Sequence, residues 1–520
     1  MNNNNKKPNI LFIMADQLSA SALPCYGNKT VIAPNLSKMA EEGIVFENNY
    51  CNYPLCAPSR ASMMTGRLTS RIGSFDNGAE LPASIPTFAH HLRAEGYYTC
   101  ISGKMHFLGP DQYHGFEDRL TTEIYPADLS WTPNWDPEAK KYSFETGAGM
   151  SDIGTMLDSG KCQWSMQMEY DEEVFANARA KLYDFAKEGS DQPFLFVVSF
   201  TQPHDPFLAS EKYWNMYEHD KIPMPTVFPI PYEEQDPQSH LLYRKNGMDR
   251  YDVPEEAVRN ARHAYYAMIT DIDEKIGELL NILKKTGLDE NTIVVFTSDH
   301  GEMLGERGIW YKKTLFEDAV KVPLLISAPE RFSPKRIKEN VSLVDLLPTL
   351  VDFAGGDVKE FQSALDGASL TGLINGTGEW EDVVYCDHSD NATVAPRFMV
   401  RKGNFKYVFC EAYPAQLYDL EKDPNELNNV AGDPQYSNIE KELKELVYKK
   451  WDVESLREKM IFSQKERRLV TEAMSRGRWV SWEIGTTVDP AKHYVRYGDA
   501  FPDIERKNYV LTKERDFKMK

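Results

Sequence analysis

TIVVFTS, at residues 292–298, is a run dominated by apolar and β-branched residues that leads directly into Asp299 and His300. Three similar runs occur elsewhere in the chain: NILFIMA at 9–15, PFLFVVSF at 193–200 and VPLLIS at 322–327. Runs of this length without polar alternation are typical of strands buried on both faces of a sheet that helices cover. They predict an α/β fold.

Helix-like segments lie between these runs and end at residues that stop helices. Residues 86–95 precede Gly96, and residues 255–286 precede Gly287, a residue type that favours a helix end. The alternation predicts an α/β sandwich. A Rossmann-like fold fits the same pattern, but no Gly-x-Gly-x-x-Gly follows the first strand, which disfavours dinucleotide binding.

A change of pattern divides the chain, whose 520 residues are enough for more than one hydrophobic core. TGLINGTGE at 371–379 is rich in glycine and turn residues, and VVYCDH and FKYVFCE beyond it alternate like antiparallel strands. We predict a catalytic α/β domain over 1–375 and a smaller C-terminal α+β domain, with antiparallel strands and a helix, over 376–476. We expect the aromatic tail over 477–520 to dock on its own domain, on the active site or on a neighbouring subunit.

The composition excludes several classes of function. A formal net charge of -20 argues against nucleic-acid binding, which needs clustered Lys and Arg to replace phosphate counterions. The apolar stretch 10–15 is too short for a signal peptide and no apolar run has transmembrane length, so we expect a cytoplasmic protein without membrane attachment. Seven scattered cysteines indicate neither a disulfide framework nor a zinc site, and their odd number leaves room for one special thiol.

One of these cysteines lies in a distinctive motif. LCAPSR at 55–60 is followed by ASMMTGR at 61–67, which gives the pattern Cys-x-Pro-Ser-Arg with a trailing Thr-Gly-Arg. In this motif the chain resembles the sulfatase family of the alkaline phosphatase superfamily, which implies a large mixed-sheet α/β sandwich. The resemblance also implies that a formylglycine-generating or anaerobic sulfatase-maturating enzyme oxidises Cys56 to formylglycine, and that Arg60 belongs to an anion clamp.

The chemistry of that family requires a metal site. The hydrated aldehyde of formylglycine supplies one hydroxyl that attacks sulfur, giving a covalent sulfate ester, and a second that later expels sulfate; a divalent cation holds the attacking oxygen against the anionic group. Asp16 and Gln17 follow the first strand, and Asp299 and His300 follow 292–298, so the carboxyl ends of two strands gather these groups. Oxygen ligands favour Ca2+, with Mg2+ or Mn2+ as alternatives. Gln17 and His300 either bind the metal or support its ligands, because the family most often carries Asp-Asp and Asp-Asn there.

Further basic residues match positions that bind sulfate in the family. SGKMH, at 102–106, resembles the Gly-Lys-x-His motif, in which Lys104 binds sulfate and His106 orients the formylglycine. His204, after the run at 193–200, resembles the sulfate-binding histidine. Lys312 is similarly placed to the second sulfate lysine, although Lys313 is adjacent and an offset of one residue is open. Positive groups around the transferred anion and an acid for the leaving oxygen are what the reaction needs.

Longer stretches resemble the choline sulfatase branch of the family, among them IYPADLSWTP, TSDHGEMLGERGIWYKKTLFE and QLYDLEKDPNELNNVA. This resemblance implies hydrolysis of choline O-sulfate to choline and sulfate. A quaternary ammonium is recognised by aromatic faces and acidic neighbours, so Trp131 is the first candidate for substrate binding and Asn77 a weaker one. SDNATVAP at 389–396 departs from the branch, which usually has an acidic residue there; Asp390 substitutes for it only if the alignment shifts by one.

Three other functions fit the same motifs. The first is a sulfatase for another alkyl, aryl or sugar sulfate, and the second is a phosphonate or phosphate monoester hydrolase of the same superfamily. The third is a protein that binds sulfated ligands without turnover, which requires Cys56 to remain a thiol. The resemblance of the tail to that of choline sulfatases implies a homo-oligomer, either a dimer or a tetramer.

Overall fold

The four apolar runs lie side by side in one mixed sheet. The computed structural model describes residues 6–135 and 151–476 and the backbone of residues 509–511. Within this part of the chain the strands of the sheet, in spatial order, are β10 (Lys335–Ser342), β2 (Ile44–Tyr50), β9 (Leu324–Ser327), β8 (Thr292–Ser298), β1 (Asn9–Ala15), β6 (Phe194–Ser199), β3 (Tyr98–Gly103) and β4 (Asp118–Arg119). Strand β9 is antiparallel to both of its neighbours, and the other pairs are parallel.

Helices pack on both sides of this sheet. In chain order the α-helices are α1 (Pro34–Glu42), α2 (Cys56–Thr65), α3 (Thr69–Ile72), α4 (Phe88–Ala94), α5 (Ile153–Leu157), α6 (Met166–Glu188), α7 (Glu211–Trp214), α8 (His240–Lys245), α9 (Glu255–Thr286), α10 (Glu317–Val320), α11 (Leu346–Phe353), α12 (Thr371–Asn375), α13 (Ser437–Lys450) and α14 (Val453–Ser475). Among the residues described, no helix combines the length and the apolar character needed to span a bilayer.

Strand β1 shows why the sheet is buried on both faces. Leu11 and Ile13 point to one side, into a core shared with α1, α6 and α9. Ile10 and Phe12 point to the other side, into a core shared with α2, α4 and α11. Because successive side chains of a strand alternate between faces, only a continuous apolar run can fill both cores. The α/β sandwich predicted from the sequence is confirmed.

The helix ends follow local chemistry. Helix α9 spans the residues that its pattern predicts, and it ends at Gly287, which has a φ of 74° in the left-handed region that glycine adopts readily. Helix α4 is shorter than the predicted 86–95. The Thr87 side chain accepts a hydrogen bond from the backbone N–H of His90, so Thr87 caps the helix and the first helical residue is Phe88.

A second, antiparallel sheet forms the C-terminal part. Its strands are β11 (Val383–His388), β12 (Arg397–Lys402), β13 (Phe405–Cys410) and β14 (Gln416–Asp419). Phe398 and Tyr407 of this sheet share a core with Leu443 of α13 and Met460 of α14. The predicted α+β region is therefore present, while the boundaries after residues 375 and 476 stay predictions.

A small sheet joins the backbone of residues 509–511 to the α/β part of the chain. Its strands, in spatial order, are β15 (Tyr509–Leu511), β5 (Gly160–Ser165) and β7 (Leu208–Ser210). Apart from the backbone of β15, which pairs antiparallel with β5, the predicted tail over 477–520 lies outside the described residues.

Candidate active site

The predicted metal-binding pairs meet at one edge of the central sheet. Strands β1 and β8 are parallel neighbours in register, with Ala15 opposite Ser298, so Asp16 and Asp299 leave the sheet side by side. The backbone N–H of Gln17 donates to the Asp299 carboxylate at 3.0 Å and ties the two strand ends together. Gln17 has a φ of 64°, an uncommon conformation for a residue other than glycine.

Cys56 is the first residue of α2, a helix in which every residue is buried. Its Sγ lies 3.1 Å from Nε2 of His300 and 3.8 Å from Oδ1 of Asp16. The backbone N–H of Ala57 donates to Oδ1 of Asn77 at 3.1 Å, which satisfies one of the free donors at the start of the helix. The thiol therefore stands at the positive end of a helix and beside both strand ends.

Arg60 lies one turn further along α2, on the side that carries Cys56. Its guanidinium donates to Asp299 at 2.8 Å and to Asp16 at 3.0 Å, and it also donates to the hydroxyl of Ser199 at 2.9 Å. Burial alone would raise the pKa of Asp16, but Lys104, His204 and Arg60 outweigh it and hold this pKa well below its usual value. Burial also raises the pKa of Asp299, but Arg60 outweighs it and this pKa is lowered, so both aspartates are ionised near neutral pH.

These groups fit a divalent metal ion. One ligand atom from each of four residues lies within 4.8 Å of the others, and the four residues are Asp16, Cys56, Asp299 and His300. Two ionised carboxylates form a hard, anionic donor set of the kind that Ca2+ and Mg2+ prefer. The side chain of Gln17 points elsewhere: its Nε2 donates to Asp205 at 3.1 Å, and its Oε1 accepts from Lys312. A ligand role for Gln17 stays a prediction.

The predicted sulfate-binding groups gather around the same point. Lys104 is completely buried, forms an ion pair with Asp16 and lies 4.3 Å from the centre of the Tyr125 ring. Nε2 of His204 lies 2.6 Å from Nζ of Lys312. Of the two neighbouring lysines, Lys312 is thus the one beside His204. Lys313 turns toward Asp390, with 2.9 Å between Nζ and Oδ2.

Aromatic rings form one wall of the pocket over Cys56. The ring of His106 lies 5.8 Å from that of Trp131 and 5.7 Å from that of Tyr125, measured between ring centres. The residues that line the pocket are Leu55, Cys56, Asn77, His106, Tyr125, Trp131, Ser151, His204, Asn246, Tyr311, Lys312 and Lys313. Both residues predicted to bind the substrate, Trp131 and Asn77, therefore face the same space as Cys56.

Three buried residues of the site are not predicted by the sequence motifs. The hydroxyl of Tyr125 lies 3.1 Å from Nδ1 of His204. Asp205 contacts Gln17 and Lys312, and Glu302 accepts from Nε2 of Gln17 and from the backbone N–H of Tyr311. Each one lies in a stretch already quoted or beside a predicted residue, but no spacing rule distinguishes it from its neighbours.

The likeness to known structures and families agrees with this geometry. A phosphonate monoester hydrolase from Silicibacter pomeroyi superposes with a TM-score of 0.67 at 24% sequence identity, over 85% of this chain and 94% of that one, and it shows a shared fold. The model of the family "Sulfatase" matches residues 8–356. The chain belongs to the sulfatase family and is a sulfuric ester hydrolase. Membership implies a formylglycine and a divalent metal, and the fold and family predicted from the sequence are confirmed.

Relatives of known name extend the match to both parts of the chain. The choline-sulfatase of Rhizobium meliloti (strain 1021) is 42% identical over 496 residues, which cover 94% of this chain and 96% of that protein. An arylsulfatase of Clostridium perfringens is 30% identical over 460 residues, covering 83% of this chain and 91% of that protein. The model "Choline sulfatase enzyme C terminal" matches residues 458–508, and "N-sulphoglucosamine sulphohydrolase, C-terminal" matches 305–452.

The C-terminal helix α14 holds the outer wall of the pocket. Arg467 makes a buried, two-pronged ion pair with Asp76, at 2.7 and 2.9 Å, and donates to the hydroxyl of Thr132 at 3.1 Å. Asp76 and Thr132 are the chain neighbours of Asn77 and Trp131. Helix α14 therefore fixes the two loops that carry the predicted substrate-binding residues.

Replacing this arginine should loosen the pocket wall. Arg467→Met leaves Asp76 buried without its cation, which costs on the order of 3 kcal/mol of stability, and we expect a higher KM for the ester with a smaller change in kcat. Arg476→Met is the matched control. Arg476 directly follows the same helix and pairs with Glu472, and the two side chains are 76% and 42% exposed. Steady-state kinetics with thermal unfolding would measure both effects, and equal KM values for the two variants would contradict the role of Arg467.

Removal of divalent metal should abolish activity and leave the fold intact. Arg60 and Lys104 already neutralise the two aspartates, so the sheet edge does not depend on the metal alone for charge balance. A ligand at 100 times its Kd stabilises a protein by about 2.7 kcal/mol, so a chelator should lower Tm by a few degrees. Turnover, circular dichroism and Tm would be followed during chelation and re-addition of Ca2+ or Mg2+. Global unfolding on chelation, or full activity without metal, would show that this account is wrong.

Proposed function

We propose that the chain hydrolyses choline O-sulfate to choline and sulfate, with formylglycine at position 56 as the nucleophile. The observation that carries the proposal is the pocket that Cys56 and Lys312 line together with the aromatic faces of Trp131 and Tyr125. Asp16, Asp299 and Lys104 lie behind Cys56, outside the pocket lining. An anionic sulfate suits the lower end, and a trimethylammonium group suits aromatic faces. The relative that is 42% identical over nearly the whole chain bears the name of this activity.

The Cys56 end of the pocket requires a formylglycine and a divalent metal. The hydrated aldehyde of formylglycine would supply the attacking hydroxyl, and a divalent metal, most suitably Ca2+, would supply Lewis-acid stabilisation of the developing negative charge. Asp16, Asp299 and His300 are the residues that would hold the metal. Arg60 keeps the two carboxylates in place, since it binds both of them.

The sulfate and the leaving alcohol are handled by side chains of the pocket. Lys104 and Lys312 balance the charge of the sulfate oxygens, which grows as the ester bond breaks. Nδ1 of His204 lies 2.6 Å from the backbone oxygen of Asp205, and this contact directs Nε2 to Lys312. We assign to the His204–Lys312 pair the proton that the alcohol oxygen takes up as it leaves. His106, between Tyr125 and Trp131, orients the residue at position 56.

The remaining parts of the proposal concern the cell. A formylglycine-generating or anaerobic sulfatase-maturating enzyme converts Cys56, the mature protein is cytoplasmic, and it assembles as a dimer or tetramer. The resemblance of the tail to that of choline sulfatases supports the oligomer, and the pairing of β15 with β5 places the backbone of residues 509–511 beside the α/β part of the same chain.

The proposed function predicts a clear order of substrates. Protein whose peptide across 55–60 has the mass of the aldehyde should hydrolyse choline O-sulfate with a higher kcat/KM than an aryl sulfate, and phosphocholine should be poorer than both. Sulfate or phosphate release at equal concentrations measures this order. Preference for the aryl ester would remove choline from the proposal and leave the sulfatase chemistry, preference for phosphocholine would indicate a phosphomonoesterase, and activity in protein that retains the Cys56 thiol would contradict the formylglycine mechanism.

Trp131 should contribute to recognition of the cation. Trp131→Leu keeps an apolar side chain but removes the aromatic face, and a cation–π contact in a partly desolvated site is worth about 1–2 kcal/mol, or roughly ten-fold in kcat/KM. The control is the neutral isostere of choline O-sulfate, in which a tert-butyl group replaces the trimethylammonium group. We expect the choline ester to lose about ten-fold more than the isostere. Equal losses would mean that Trp131 provides only shape.

A further inference from the structure

Lys313 brings a second lysine into the pocket. Tyr311 and Lys313 both have a φ of 69°, an uncommon conformation for side chains of this size. The backbone therefore turns twice within three residues, and Lys312 reaches His204 while Lys313 reaches Asp390. The backbone N–H of Lys313 donates to the oxygen of Pro54 at 3.1 Å, which anchors it beside the loop that leads to Cys56.

Asp390, the acidic partner of Lys313, is committed to protein groups. Its Oδ2 lies 2.9 Å from Nζ of Lys313, its Oδ1 lies 2.9 Å from Nε2 of His388, and Oδ1 also accepts from the backbone N–H of Ala392 at 2.8 Å. Burial alone would raise the pKa of Asp390, but the charge of Lys313 and the hydrogen bond from Nε2 of His388 outweigh it, and this pKa lies below its usual value. The carboxylate is thus ionised, and its charge is balanced by Lys313.

The groups behind this pair add no further negative charge. Burial and Arg397 lower the pKa of His388 to about 4, so the imidazole is neutral at pH 7. Arg397 donates to Nδ1 of His388 at 2.6 Å and to the backbone oxygen of Lys313 at 2.6 Å. Among the described residues that line the pocket there is no Asp or Glu. The wall next to Lys313 is therefore neutral to positive.

We propose that the Lys313–Asp390 pair determines how strongly the pocket prefers a cationic alcohol. This inference rests on the proposed function, because it concerns the alcohol end of the same sulfate ester. Lys313 repels a quaternary ammonium and also neutralises the nearest carboxylate that could attract one. Recognition of choline then depends on the aromatic faces, and a neutral ester of the same shape is accepted within about ten-fold of choline O-sulfate, a difference that one cation–π contact can produce.

The test compares kcat/KM for choline O-sulfate with that for its neutral tert-butyl isostere. The ratio of the two values reports the charge of the wall, because shape, sulfate chemistry and the loss of any structural support are shared by both esters. Lys313→Met removes one positive charge and should raise the ratio about ten-fold, the effect of one unit charge a few ångströms away in a partly screened site. Asp390→Asn should lower the ratio by a similar factor.

Two further variants separate charge from structure. Lys313→Arg keeps the positive charge and should keep the ratio of the wild type. The double variant Lys313→Met/Asp390→Asn restores the net charge of the wall and should return the ratio to within about three-fold of the wild type, because equal and opposite charge changes at neighbouring positions offset each other at the alcohol. Circular dichroism checks that each variant is folded. The single variants test each charge of the pair, and the double variant tests whether the net charge alone sets the ratio.

The outcomes are distinct. If the ratio of kcat/KM values stays within two-fold of the wild type in both single variants, the inference is overturned. The proposed function still holds in that case if the wild-type enzyme hydrolyses choline O-sulfate. A wild-type enzyme that hydrolyses neither ester overturns the proposed function and this inference with it. A rise in Lys313→Met, a fall in Asp390→Asn and a return in the double variant establish the pair as the charge selector of the pocket.

Discussion

Arg60 is bound at once to the ends of two strands, and the active site is organised around this contact. Asp16 and Asp299 leave β1 and β8 side by side, with carboxylate oxygens within 4.8 Å of each other. Two buried carboxylates this close would repel each other strongly. Removing charges from water costs several kcal/mol per ion unless each has a well-placed partner. Arg60 and Lys104 supply those partners, and because Arg60 lies one turn after Cys56, the same contact places Cys56 beside the carboxylates.

The central fold and most of the site could be predicted from the sequence. Strands β1 and β8 occupy the residues that their apolar runs indicate, because a strand buried on both faces leaves a continuous hydrophobic signal. Asp16 and Asp299 were found because the carboxyl ends of neighbouring parallel strands meet at one edge. The contacts of Gln17, by contrast, depend on a left-handed backbone that directs its amide to Lys312 and Asp205. Glutamine has no preference for that conformation, so the sequence does not predict it.

Contacts between distant segments were the part that the sequence could not supply. Tyr125 and Glu302 lie in loops whose paths are determined by packing, and Lys313 meets Asp390 only because the C-terminal sheet docks beside the pocket. A pattern of apolar residues specifies which face of a strand is buried, but it does not say which charged side chain will be opposite another after two parts of the chain have packed. For the same reason, the sequence does not determine the role of Asp390.

Two parts of the chain build the pocket: the central sheet with α2, and the C-terminal part. We propose that the first part determines the reaction and the second the choice of substrate. The groups proposed to act on sulfate come from the central sheet and α2. The walls proposed to surround the alcohol depend on the C-terminal part: Asp390 follows β11, and Arg467 of α14 holds the loops of Asn77 and Trp131. A fold does not determine which substrate it serves, since function resides in the site it carries. A shift in the C-terminal part can therefore change the shape and charge seen by the alcohol while Arg60 keeps Asp16 and Asp299 in place. Under the proposed function, esters of different charge share one sulfate chemistry, and we infer that side chains such as Lys313 select among them.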